Sequence, residues 1–81
     1  MAVKDIIFTV VTEVAAEQDR RIAPPDEAMV FARSGLDSLC FAIIVARLED
    51  RLGVDPFTTT DDIAFPETLG AFVSLYERAA A

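Results

Sequence analysis

Three segments of this chain repeat apolar residues at helical spacing. In the first, Val3, Ile6, Ile7, Val10, Val11 and Val14 fall within about 140° of one another when successive residues turn by about 100°. That pattern predicts an amphipathic helix over residues 3–17. The same stretch is dense in β-branched residues, which favour strands, but no second segment offers a partner strand, so helix is the reading. Phe8 lies off the main face and is expected against the connection that follows. The second segment, residues 38–52, is the clearest. Phe41, Ile44, Val45, Leu48 and Leu52 span about 100° and read as a buried stripe. Gly53 follows at once and suits a left-handed stop. Leu39, Ile43 and Ala46 share the opposite side, beside Asp50, and are expected to be exposed.

Between these helices, residues 18–37 read as a long connection. Ile22, Met29 and Phe31 are spaced to pin it to a core, and Asp26-Glu27 after Pro25 could open one helical turn. A loop this long in a small domain is uncommon and is usually functional or well packed. Beyond Asp55-Pro56-Phe57, which turns the chain, Thr60 is placed as the cap of a short helix over residues 60–65. Asp61 and Asp62 would lie in its first turn, with Ile63 and Phe65 inward. After Pro66, Thr68 is placed as the cap of a last helix, residues 68–79, with Leu69, Phe72, Val73 and Tyr76 as its inner stripe. Gly70 should weaken that helix by about 1 kcal/mol relative to alanine. The fold class is therefore all-α: one small four-helix bundle, with three principal helices, one short helix and a long first loop.

Composition narrows the function classes. Fourteen acidic residues against seven basic ones leave a net charge of −7, a surface that repels phosphate backbones, so no nucleic-acid partner is expected. Histidine is absent, which removes the usual base for a Ser or Cys nucleophile and the commonest metal ligand. Cys40 is the one cysteine, which excludes an internal disulfide or a CxxC site; it is read as a partly exposed, passive thiol. The acidic pairs Glu49-Asp50 and Asp61-Asp62 read as solvated faces and lack the spacing of a calcium loop. No uncharged stretch is longer than the nine residues of Ser38 to Ala46, far short of the ~20 that span a bilayer. No signal peptide is evident either, because Lys4-Asp5 and Glu13 interrupt the N-terminal apolar run. A cytoplasmic monomer with a reduced thiol, not an enzyme and not inserted in a membrane, is the expectation.

One local constellation stands out: Gly35-Leu36-Asp37-Ser38-Leu39, opening the strongest helix, with Phe31 seven residues before the serine. A serine at a helix start is exposed, and the first turn offers unpaired N–H groups and a partial positive charge. An anion on Ser38 would meet the site that helix N-termini provide. Asp37 adds a carboxylate beside the hydroxyl, and Gly35 lets the chain turn sharply. Each residue also has an ordinary use, since Asp37 or Ser38 can simply cap the helix and Gly35 can simply supply a positive φ.

In this position the pentapeptide resembles the phosphopantetheine attachment site of acyl and peptidyl carrier proteins. The order of helices, the long first loop and the closing segment from Pro66 to Tyr76 agree with that family across almost the whole chain. The resemblance implies that a phosphopantetheinyl transferase attaches 4′-phosphopantetheine from coenzyme A to Ser38, with Asp37 and Gly35 shaping the site. It implies further that ligase or synthase enzymes load acyl or aminoacyl groups onto the arm as thioesters. Leu39, Cys40, Ile43, Ala46, Glu49 and Asp50 are then the expected partner-binding residues. Carriers of primary fatty-acid synthesis usually present a strongly acidic second helix, and many carriers have a leucine before the glycine. Here Cys40, Ile43 and Ala46 are uncharged and Ser34 precedes Gly35, which favours a specialised polyketide, nonribosomal peptide or modified fatty-acid pathway. The start at Met1 and the end soon after the last helix suggest a stand-alone protein, and an excised module would look nearly the same. The alternative function is an unmodified helical adaptor that docks a partner through Leu39, Ile43 and Ala46.

Overall fold

The valine-rich first segment is helical because its apolar face finds two partners. In the computed structural model, which describes residues 2–57 and 66–80, α1 spans Val3–Glu17, α2 spans Ser38–Leu52 and α3 spans Leu69–Ala80. A single 3-10 turn, Phe31–Arg33, interrupts the first connection. The described residues are mostly helical and contain no strand beyond one backbone bridge, Val30 to Thr68, so the fold is all-α. α1 packs on both α2 and α3. That places Ile7, Val10, Val11 and Val14 at the centre, fully buried, where helical spacing outweighs their strand propensity.

The helix limits expected for α1 and α2 match those observed, and α3 begins one residue after Thr68. Thr68 does cap it, its Oγ1 accepting the Ala71 N–H at 3.1 Å. Leu69, Phe72, Val73 and Tyr76 are all buried, as their spacing indicates. Phe31, Phe41, Phe57, Phe72 and Tyr76 form a chain of edge-on, tilted and stacked rings, with Phe72 and Tyr76 the closest pair at 4.9 Å. The short helix expected over residues 60–65, with Thr60, Asp61, Asp62, Ile63 and Phe65, lies outside the described residues.

Two expectations need correction. Asp26-Glu27 does not open a helical turn. The Asp26 carboxylate accepts the Ala28 N–H at 2.7 Å, which closes a tight local turn instead, and the helical turn of this connection forms at Phe31–Arg33. The second correction concerns the roll of α2. Its fully buried line is Cys40, Ile44 and Leu48, whereas Phe41, Val45 and Leu52 are half-buried. Across the seam between the helices, Arg47 forks onto Glu17 of α1 at 2.7 and 2.9 Å, and Arg51 reaches Glu13 at 3.0 Å. The helix side bearing Arg47 and Arg51 therefore faces α1, which carries Cys40 inward with it. Phe8, off the main face of α1, is half-buried against the core.

The first connection is sewn to the start of α3 through backbone hydrogen bonds. Phe31 donates to the Glu67 carbonyl, Leu69 to Met29 and Gly70 to Glu27, at 3.0, 2.9 and 2.9 Å. The last two are first-turn amides of α3, which have no acceptor within the helix. Ile22 and Met29 pack half-buried on the core and Phe31 is buried, so the three apolar residues pin this connection as their spacing suggested.

Candidate functional site

The segment entering α2 is held from both sides. Upstream, Ser34 knots the turn: its hydroxyl donates to the Phe31 carbonyl at 2.9 Å and accepts the Leu36 N–H at 3.1 Å. Gly35 then takes φ 91°, and a Cβ there would stand 3.0 Å from the Arg21 carbonyl oxygen. Conformation and space both call for glycine at this position. Asp37 is the N-cap, extended at φ −100° and ψ −178°. Its Oδ1 accepts the Cys40 N–H at 2.9 Å, and the Phe41 N–H closes on its carbonyl at 3.0 Å. Its Oδ2 takes an ion pair from Arg20. The hydrogen bonds from Cys40 come first, and the Arg20 guanidinium adds to them, in holding the Asp37 carboxyl below its ordinary range.

Ser38 is therefore the first helical residue and not the cap, and it is exposed. Neither its hydroxyl nor the amides of Ser38 and Leu39 have an acceptor or donor among the described residues. Beside the serine lies a mostly apolar hollow of about 250 Å³, lined by Phe31, Ala32, Leu36, Asp37, Ser38 and Phe41. The arrangement offers a free hydroxyl, two unpaired amides at the positive end of a 15-residue helix and an apolar recess next to them. Such a hydroxyl can accept a phosphoryl group from outside, and among the described residues no side chain is hydrogen-bonded to it as a base.

Leu39 is 57% exposed, and Ala46, Glu49 and Asp50 are exposed as well. Two of the expected surface residues are not. Cys40 is fully buried, because the roll of α2 that joins Arg47 to Glu17 turns it inward. It cannot be a partner contact or a partly exposed thiol. Ile43 is half-buried and packed against the core at the edge of the same seam. The outward surface of α2 is thus narrower than its sequence suggests and is centred on Leu39, Ala46 and Asp50.

Arg20 was not legible as a site residue. It is carried to Asp37 by the stop of α1, where Asp19 takes φ 56°. The Arg20 N–H bonds the Ala15 carbonyl at 2.8 Å and the Asp19 N–H bonds that of Ala16 at 3.3 Å. This is the Schellman pattern, with aspartate where glycine is usual, so the customary sequence signal is missing. Among the described residues no helix is long and apolar enough to cross a membrane. No protein-family model matches the chain, and no curated protein or solved structure matches it either.

Proposed function

We propose that this chain is a carrier protein of the acyl or peptidyl carrier type, modified at Ser38 with 4′-phosphopantetheine. The observation that carries the reading is Ser38 itself: exposed, unbonded, first in α2, and preceded by a capping aspartate and a glycine that its position requires. A phosphodiester fits there. The unpaired amides of Ser38 and Leu39 are the donors a helix N-terminus presents to an anion, and they would hold it without any rearrangement of the cap. In the attachment reaction the Ser38 oxygen forms a bond to phosphorus as the diphosphate bridge of coenzyme A breaks. The bisphosphorylated adenosine leaves, and the hydroxyl proton passes to a base on the transferase. The arm supplies a terminal thiol that holds acyl or aminoacyl cargo as a thioester.

In this reading the chain catalyses nothing. It orients the root of the arm and presents Leu39, Ala46, Glu49 and Asp50 to partner enzymes. The full carrier architecture calls for the short helix over residues 60–65 between α2 and α3. The uncharged Ala46 and the serine at position 34 favour a specialised pathway over primary fatty-acid synthesis.

Intact-mass measurement after incubation with coenzyme A and a broad-specificity phosphopantetheinyl transferase tests the proposal. Wild type should gain one phosphopantetheine and Ser38→Ala none, with unchanged far-ultraviolet circular dichroism. An increment that persists in Ser38→Ala overturns the assignment. A wild type that is never modified favours the adaptor reading through exposed Leu39.

A further inference from the structure

A phosphodiester on Ser38 would stand next to the carboxylate of Asp37, which capping keeps ionised. Two negative charges on adjacent residues repel unless a cation is held beside them. The structure holds one there. Arg20 is fixed at its backbone by the stop of α1 and at its tip by Asp37 Oδ2. A guanidinium has five N–H donors in a planar fork. Apart from the contact to Asp37 they have no partner among the described residues, and the side chain is 43% exposed. Arg47 and Arg51, by contrast, are committed to Glu17 and Glu13. In a chain with a net charge of −7, an arginine tethered to the residue just before the candidate attachment point is placed against the general charge balance.

We infer that Arg20 is the counter-ion of the phosphodiester at Ser38. Docked on Asp37 through one N–H, its guanidinium takes a phosphate oxygen with another and holds the root of the arm against the first turn of α2. Arginine suits this because one planar group can serve carboxylate and phosphate together, which a lysine ammonium does less well. Arg20 is a positioning residue here, and the inference rests on the carrier reading of Ser38.

The experiment loads wild type, Arg20→Gln and Arg20→Lys with coenzyme A and the transferase, and confirms complete conversion by intact mass. The side-chain N–H resonances of Arg20 in ¹⁵N-labelled wild type should shift on loading at low salt, and the shift should shrink at high salt. The urea midpoint of each protein is then compared with that of its own unloaded form. Loading should leave wild type unchanged or raise its midpoint, lower that of Arg20→Gln, and affect Arg20→Lys to an intermediate degree. Because each variant is its own reference, any loss from breaking the Arg20–Asp37 pair cancels. Should Arg20→Gln fail to fold, the wild-type resonances decide alone. Unmoved Arg20 resonances in fully loaded wild type, or the same midpoint change in wild type and Arg20→Gln, overturn the counter-ion role and leave the carrier reading standing. Absence of any mass increment in wild type overturns both.

Discussion

Gly70 and Glu27 stand so close that a Cβ on Gly70 would lie 2.9 Å from the Glu27 carbonyl oxygen and 3.2 Å from its Cβ. The contact is where the first connection lies across the start of α3, and the Gly70 N–H donates to that same carbonyl at 2.9 Å. Helix propensity alone would make alanine better here by about 1 kcal/mol. The opposite is expected. Gly70→Ala has to push a backbone carbonyl away and strain its hydrogen bond, a cost of roughly 1–3 kcal/mol for overpacking. The net effect should be a lower urea midpoint. A midpoint that rises would show that the connection yields freely at this point.

Asp37 links stability to acid. Its folded-state carboxyl lies below the ordinary value of 3.8, so its contribution is present above that value and lost as pH falls through the lower, folded-state one. Wild type should lose midpoint steeply below about pH 4. Asp37→Asn, which still offers a capping oxygen, should show a shallower loss over the same window. Parallel profiles for the two proteins would mean that Cys40 and Arg20 do not act on this carboxylate in solution.

On the proposed carrier function, Leu39 and Ile43 should separate recognition from folding. Leu39 is 57% exposed, so Leu39→Glu should stay within about 0.5 kcal/mol of wild-type stability while slowing transferase modification several-fold. Ile43 packs on the core edge. Ile43→Glu would place a carboxylate against apolar surface and should lower the midpoint clearly. Equal stability for the two variants would restore Ile43 to the outer surface of α2.

Cys40 gives a direct check on the roll of α2. It is fully buried, so an aromatic disulfide reagent should leave the native protein unreacted and consume one thiol in urea. Rapid native reaction would mean that the helix is turned outward by a step. In the core line of the same helix, Leu48 is fully buried, and Leu48→Ala should cost about 2–5 kcal/mol.

The parts of the fold that sequence made plain are those governed by spacing and caps. The apolar faces of α1 and α3, the Asp37 and Thr68 caps and the Gly53 stop all act within a few residues of themselves, so a local pattern contains them. The roll of α2 is not local. It depends on Arg47 and Arg51 meeting glutamates 30 and 38 residues away in the chain, and nothing in a helical wheel registers that. For the same reason the wheel put Cys40 outside and gave Ile43 too much exposure. At the site, the exposure of Ser38 and the need for Gly35 were legible. The presence of Arg20 was not, because its approach depends on an aspartate adopting the left-handed conformation at the end of α1.

Tyr76 has a consequence for watching this protein unfold. The chain has one tyrosine and no tryptophan, so all of its tyrosine emission comes from a single ring, fully buried beside Phe72 and Phe57. Its hydroxyl has no hydrogen-bond partner among the described residues, and burial, reinforced by Asp55 and Glu49, drives its ionisation well above the ordinary range. Tyr76 should therefore serve as an internal optical probe that resists ionisation as the pH rises while the packing around α3 is intact. The absorbance change of tyrosinate on a rising pH scale would then time the opening of the core.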